Sequence, residues 1–184
     1  MKILHKKDVK RFYVKYFNGF SLQKESSLFE SYLNKNEMTV AGFSYGAQQA
    51  FEYVYHTKER IERLILLSPA FFQTKKKSFI RAQLQYYEKD RHRYMEKFLQ
   101  NIQYPAAIEL SEYLKNGNKH ELEALLHYRW SEEKLKELLE RKIEIEVFLG
   151  SKDKIIDTNE VAEFFSITTT YIIKDAGHLL KGKL

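Results

Sequence analysis

The sequence predicts an α/β fold: a mainly parallel sheet of about five strands with a helical cap inserted into it. Three observations carry that expectation. Strand-like runs at residues 11–17, 38–41, 64–67, 143–149 and 169–173 alternate with stretches of helical spacing. Leu64-Ile65-Leu66-Leu67 is an unbroken apolar run ending in Ser68-Pro69, as a strand buried on both faces of a parallel sheet requires. Between a short strand and a helix of small residues, Val40-Ala41-Gly42-Phe43-Ser44-Tyr45-Gly46-Ala47 places Gly-x-Ser-x-Gly, the pattern of a nucleophile elbow.

Taken in order, residues 11–17 are rich in Tyr, Phe and Val and run into the turn signal Asn18-Gly19. Residues 25–33 follow with Leu28, Phe29, Tyr32 and Leu33 at helical spacing. The strand at 38–41 delivers Ser44, and the next helix carries Ala47, Ala50, Phe51 and Val54 on one face, small enough to pack closely on a sheet. From about 70 to 141 strand signals vanish and the chain turns charged, aromatic and helical, which reads as the cap of a single domain spanning 1–184. Pro105 and Gly117 punctuate it. Ser131 reads as a helix N-cap with acids in the first turn and Trp130 stapled against Leu135. Strand character then returns at 143–149, where Ile, Val and Leu alternate with Glu144, Glu146 and Phe148, and again at 169–173. Right-handed crossovers between sequential strands put their helices on one face, so cap segments or a partner subunit must cover the other.

Composition bounds the function classes. With 43% hydrophobic and 15% aromatic residues the chain can build a core, and the absence of cysteine removes disulfides and thiolate metal sites. Residues 1–10 are charged and lack the apolar run of a secretory signal, and the longest apolar stretch, 64–72, is too short to span a bilayer. The expectation is a cytoplasmic protein. The net charge of +6 suits an anionic partner. No nucleic-acid-binding motif accompanies it, and the basic residues are interleaved with acids along helices, which argues against a nucleic-acid partner.

Ser44 needs a base and an acid that orients it. Of six histidines, His5 belongs to the N-terminal segment, His56 to a helix end, and His92, His120 and His127 to the cap, whereas His178 directly follows a sheet strand. Asp153 follows the strand at 143–149; Asp157, four residues on, opens an Asp-x-x-Glu capping pattern with Glu160 and so has a structural job. Asp175 precedes His178 by three residues on the same loop. The carboxylate is therefore assigned to Asp153. The backbone N–H groups of Tyr45 and Phe20 are the expected oxyanion donors. Such chemistry requires no metal and no organic cofactor.

At this point the chain resembles the α/β-hydrolase superfamily in its elbow, its Gly150-Ser151-Lys152-Asp153 acid loop, its Gly177-His178 loop and the order Ser44, Asp153, His178, with Asn18 where the first loop usually has His. More closely, Phe17-Asn18-Gly19-Phe20, Glu25-Ser26, Leu28-Phe29-Glu30, Gly42-Phe43-Ser44, the run from Ile145 to Gly150, Lys152-Asp153 and His178-Leu179-Leu180 resemble the short BioV-type pimeloyl-acyl carrier protein methyl ester esterases. That resemblance implies a minimal α/β-hydrolase fold and hydrolysis of the distal methyl ester of pimeloyl-acyl carrier protein methyl ester, releasing methanol for biotin biosynthesis. It also implies an acyl carrier protein as partner, and the basic cluster of Lys75, Lys76, Lys77, Arg81, Arg91 and Arg93 on the cap, in a chain of net charge +6, is the surface expected to dock so acidic a protein. A broader carboxylesterase, an acyl-thioesterase and a non-catalytic hydrolase-like binding protein are the alternative readings.

Overall fold

The structure is a computed structural model and describes residues 14–33 and 38–183. Five parallel strands, β1 (Lys15–Phe17), β2 (Thr39–Phe43), β3 (Arg63–Leu67), β4 (Glu144–Gly150) and β5 (Thr169–Ile173), lie side by side in chain order. The Arg11–Tyr13 part of the first expected strand, and His5, fall outside the described residues. β3 is the central strand, flanked by β2 and β4. Thr39 through Phe43 and Leu64 through Leu67 are all buried, which is why their sequences do not alternate.

Helices α1 (Tyr45–His56), α2 (Lys77–Lys89), α3 (Arg91–Gln103), α4 (Lys119–His127), α5 (Glu132–Glu140) and α6 (Thr158–Phe164) complete the chain with two short 3-10 helices, Glu25–Phe29 and Ser111–Tyr113. Asp90 ends α2 and caps α3, accepting the Arg93 N–H at 3.0 Å. Asn118 and Glu121 form a reciprocal capping box on α4. Ser131 caps α5 through the Lys134 N–H. Trp130 packs its ring against Phe51, Tyr128 and Phe165 and donates its indole N–H to the Ala70 carbonyl. Within the stretch from 70 to 141, α2 packs with α3 and α4, while α5 buries Leu135 and Leu138 in the core of α1 and the sheet. α5 is thus the crossover helix that returns the chain to β4.

The two sheet faces are covered differently. Val40, Leu64, Leu66, Ile145, Val147 and Leu149 face α1, α5, α6 and the cap in the larger core. On the other face, Ala41, Phe43, Ile65 and Leu67 pack with Leu22, Phe29, Ile102, Leu110, Leu179 and Leu180. The expectation that all connections lie on one face therefore fails for the β1–β2 connection, whose Phe29 ring sits 4.8 Å from Phe43 on the opposite side. The helix expected over 25–33 shortens to a 3-10 helix and a turn, in which Tyr32 and Leu33 both donate to the Phe29 carbonyl. Ser26 and Ser27 are weak helix formers, and the segment enters through Lys24 in the left-handed region. This connection, cap residues and Leu179-Leu180 together cover the second face within the chain.

Candidate active site

The site forms where the strands end. Ser44 occupies the single residue between β2 and α1 at φ 53°, ψ −112°, a conformation outside the ordinary regions that persists because both flanking elements hold it. Its N–H donates to the Leu67 carbonyl at 2.9 Å and its own carbonyl accepts from Ala47 and Ala70. Gly42 and Gly46 serve by size rather than by conformation. A methyl group on Gly42 would meet the Gly46 carbonyl, and one on Gly46 would meet the carbonyls of Phe17 and Asn18 at the end of β1. The elbow and the β1 loop thus lie backbone to backbone.

His178 follows β5 and Asp153 follows β4, and the two are joined at 2.6 Å between Nδ1 and Oδ2, both side chains fully buried. The other imidazole nitrogen, Nε2, lies 3.0 Å from Ser44 Oγ. With the carboxylate accepting from Nδ1–H, Nε2 is left with its lone pair toward the hydroxyl, the arrangement a base needs. Asp153 Oδ1 accepts from the N–H groups of Ile155 and Ile156 at 2.7 and 3.1 Å, so this residue also organises its own loop, a local task that inspection of the sequence did not assign to it. Asp157 accepts from Asn159 and Glu160 and caps α6. Asp175 is exposed and pairs with Lys152. His56 sits beside Glu52, away from Ser44.

Phe20 lies in a turn closed by the Leu22 N–H on the Gly19 carbonyl, with Ser21 at φ 58°. Tyr45 is the first residue of α1, where backbone N–H groups lack intrahelical acceptors. Two buried residues that the sequence reading passed over complete the site. Ser68, at φ 42°, donates its hydroxyl to the His178 carbonyl at 2.7 Å. Glu25 accepts the Gly19 N–H at 2.7 Å. Ser68 carried one signal, its position at the end of the buried strand; Glu25 stood in the Glu25-Ser26 pair of the family resemblance, but its polar run gave no sign of burial.

A cavity of about 570 Å³ opens in the cap, lined by Phe72, Phe79, Tyr86, Tyr94, Phe98 and Leu125 among others. Phe98 also packs on Phe20 at 5.7 Å, so the cavity adjoins the β1 loop. Phe71 and Tyr87, in contrast, are core residues. Burial pushes the Tyr94 phenol up to about 12, with Tyr87 adding to the shift, so this wall stays neutral. Lys89, Arg93, Lys97 and Lys154 stand around it with one acid, Asp90. The six expected docking cations divide. Arg93 reaches the cavity, Lys76, Lys77 and Arg81 are exposed, Lys75 pairs with Glu160, and Arg91 is spent on the Gly117 carbonyl at 2.6 Å. Among the described residues, no three His, Asp or Glu side chains cluster as metal ligands, and no helix is long and apolar enough to cross a membrane.

No family model matches this sequence, and no curated protein matches it. Solved structures do. An esterase (EaEST) from Exiguobacterium antarcticum superposes with a TM-score of 0.57 at 18% identity, covering 76% of this chain and 59% of that one. The chain thus spans about three-fifths of that esterase's length. BioG from Haemophilus influenzae gives a TM-score of 0.60 at 11% identity over 94% of this chain and 91% of that one. MenH from S. aureus gives 0.59 at 15% identity over 95% and 89%. With its parallel sheet and the elbow after β2, the chain has the α/β-hydrolase fold.

Proposed function

We propose that the protein is a serine carboxylesterase acting on pimeloyl-acyl carrier protein methyl ester. The observation that carries the hydrolase reading is the buried relay from Asp153 through His178 to Ser44, with spacings of 2.6 and 3.0 Å. His178 takes the Ser44 proton as Oγ attacks the ester carbonyl, and the N–H groups of Phe20 and Tyr45 receive the oxyanion. As the carbonyl re-forms, the C–O bond to methanol breaks and the protonated imidazole supplies the leaving oxygen with its proton. Water, deprotonated by the same nitrogen, then attacks the acyl-enzyme and releases the free acid and Ser44.

The substrate assignment rests on the motif resemblance, with support from the cap cavity. Its apolar lining suits a methylene chain. The cations Lys89, Arg93, Lys97 and Lys154, joined by Lys76, Lys77 and Arg81 on the cap surface, suit an acidic carrier protein, whose approach charge attraction would speed. Such a reading places the enzyme in the cytoplasm.

Purified protein incubated with the carrier-bound methyl ester and with the matching acyl thioester tests both levels. Methanol release from the ester with the thioester intact is the expected result, and Ser44→Ala should lower it about a million-fold. Thioester cleavage in preference to the ester would replace the substrate; full turnover by a folded Ser44→Ala protein would end the serine mechanism.

A further inference from the structure

Glu25 is a carboxylate with no access to solvent, in the 3-10 helix that also buries Phe29 in the core of the second sheet face. Its burial is costly. One oxygen, Oε1, takes the Gly19 N–H at 2.7 Å with the Tyr16 hydroxyl 3.5 Å away, and the other, Oε2, has no hydrogen-bond partner among the described residues. Among the described residues no cation pairs with it, and the bond that holds the side chain is the one to Gly19.

What that bond fixes follows from peptide geometry. The Gly19 N–H is held by Glu25, and the Gly19 carbonyl is held by the Leu22 N–H at 3.1 Å. Two successive peptide planes are thereby pinned. In a trans peptide the carbonyl and the following N–H point in opposite directions, so pinning the Gly19 carbonyl toward Leu22 turns the Phe20 N–H the other way. The same loop lies against the elbow, where the carbonyls of Phe17 and Asn18 crowd Gly46. Gly19 has little room to shift, because a methyl group there would stand 2.8 Å from the Phe43 ring.

We propose that Glu25 is a positioning residue that aims the Phe20 N–H at the oxyanion by holding Gly19. This inference rests on the serine-esterase reading above. It requires an acceptor at the right reach, not a charge, which separates it from an electrostatic or merely structural role. Glu25→Gln keeps the reach and an amide oxygen for Gly19; Glu25→Asp keeps the charge and retreats by one methylene.

The test measures kcat and KM on a short p-nitrophenyl ester for wild type and both variants, with inhibition by a trifluoromethyl ketone, which forms a tetrahedral oxyanion on the serine. Glu25→Gln should stay within about threefold of wild type. Glu25→Asp should lose roughly 10- to 100-fold in kcat with KM nearly unchanged and weaken ketone inhibition in parallel, as displacement of an oxyanion donor does. The reverse order, or losses confined to KM, would overturn the assignment, as would two variants equal to wild type. A Glu25→Asp protein that does not fold leaves the decision with Glu25→Gln, whose loss of kcat beyond tenfold with fold intact also overturns it. Wild-type protein inactive on all esters would instead remove the esterase reading, and this inference with it.

Discussion

The β4 side of the site and its β1 side each bury a carboxylate, and they do so on different terms. Asp153 has three donors: His178 on one oxygen and two backbone N–H groups on the other. Among the described residues, Glu25 has Gly19 on one oxygen, a distant Tyr16 hydroxyl, and nothing on the other. Burial drives the Glu25 carboxyl above the usual glutamate range, its bonds to backbone N–H groups opposing only in part. A buried carboxylate with a single strong bond is pushed toward its neutral form. Asp153, with one oxygen on His178 Nδ1, suits orienting the imidazole, and Glu25 suits holding backbone in place.

Replacing Asp153 by Asn tests the first half of that contrast most severely. The Asn carbonyl can still accept from Ile155 and Ile156, which leaves its amide to donate to His178 Nδ1 and forces the imidazole proton onto Nε2, facing Ser44. Ester turnover should fall about ten-thousand-fold with little change in melting temperature. A smaller loss, below about tenfold, would mean that the carboxylate is not what sets the tautomer. Ser68→Ala probes the same side at lower stakes. It strips the buried His178 carbonyl of its hydroxyl partner and should cost about 1–3 kcal/mol of stability, measured by chemical denaturation. An unchanged midpoint would show that the loop is held by other contacts.

The β4 side was also the more legible in the sequence. The unbroken run at Leu64 to Leu67, the small-residue face of α1 and the Gly-x-Ser-x-Gly turn are local patterns; the last two describe the elements that carry Ser44, and the first the neighbouring strand that accepts its N–H. Asp153 and His178 could be chosen because each directly follows a strand. Glu25 could not, since Gln23-Lys24-Glu25-Ser26 has the polarity of a surface turn and its burial comes with tertiary contacts to Tyr16 of β1 and to Gly19. Arg91 shows the opposite case. It sits in a basic run with nothing to mark a structural task, yet its guanidinium is tied to Gly117 and lies against the Tyr87 ring. The shortened helix at Glu25–Phe29 has the same origin, because apolar spacing records which residues are buried and not how many turns bury them.

On the proposed mechanism, Asp157 lies just beyond the catalytic residues of the β4 side. It caps α6 four residues beyond Asp153, and Asp157→Ala should lower stability by about 1 kcal/mol while leaving kcat within a few-fold. Loss of activity on the scale of Asp153→Asn, at unchanged stability, would exchange the roles of the two acids.

The smallest expected effect concerns Glu25 and sharpens the second half of the contrast. Because its pKa is raised on folding, the folded state binds the proton more tightly than the unfolded state between the ordinary glutamate value and the raised one. Across that window stability falls as pH rises, and the penalty is absent below the ordinary value and complete above the raised one. Glu25→Gln carries no proton to lose. Its stability relative to wild type should be flat below the ordinary glutamate value, climb through the window and level off above the raised one, with the variant the more stable there. Denaturation midpoints for both proteins from acid to neutral pH would show this as a difference curve rising with pH. A difference that falls with pH would mean that the Glu25 anion is favoured in the folded state and that its side of the site is built on charge after all.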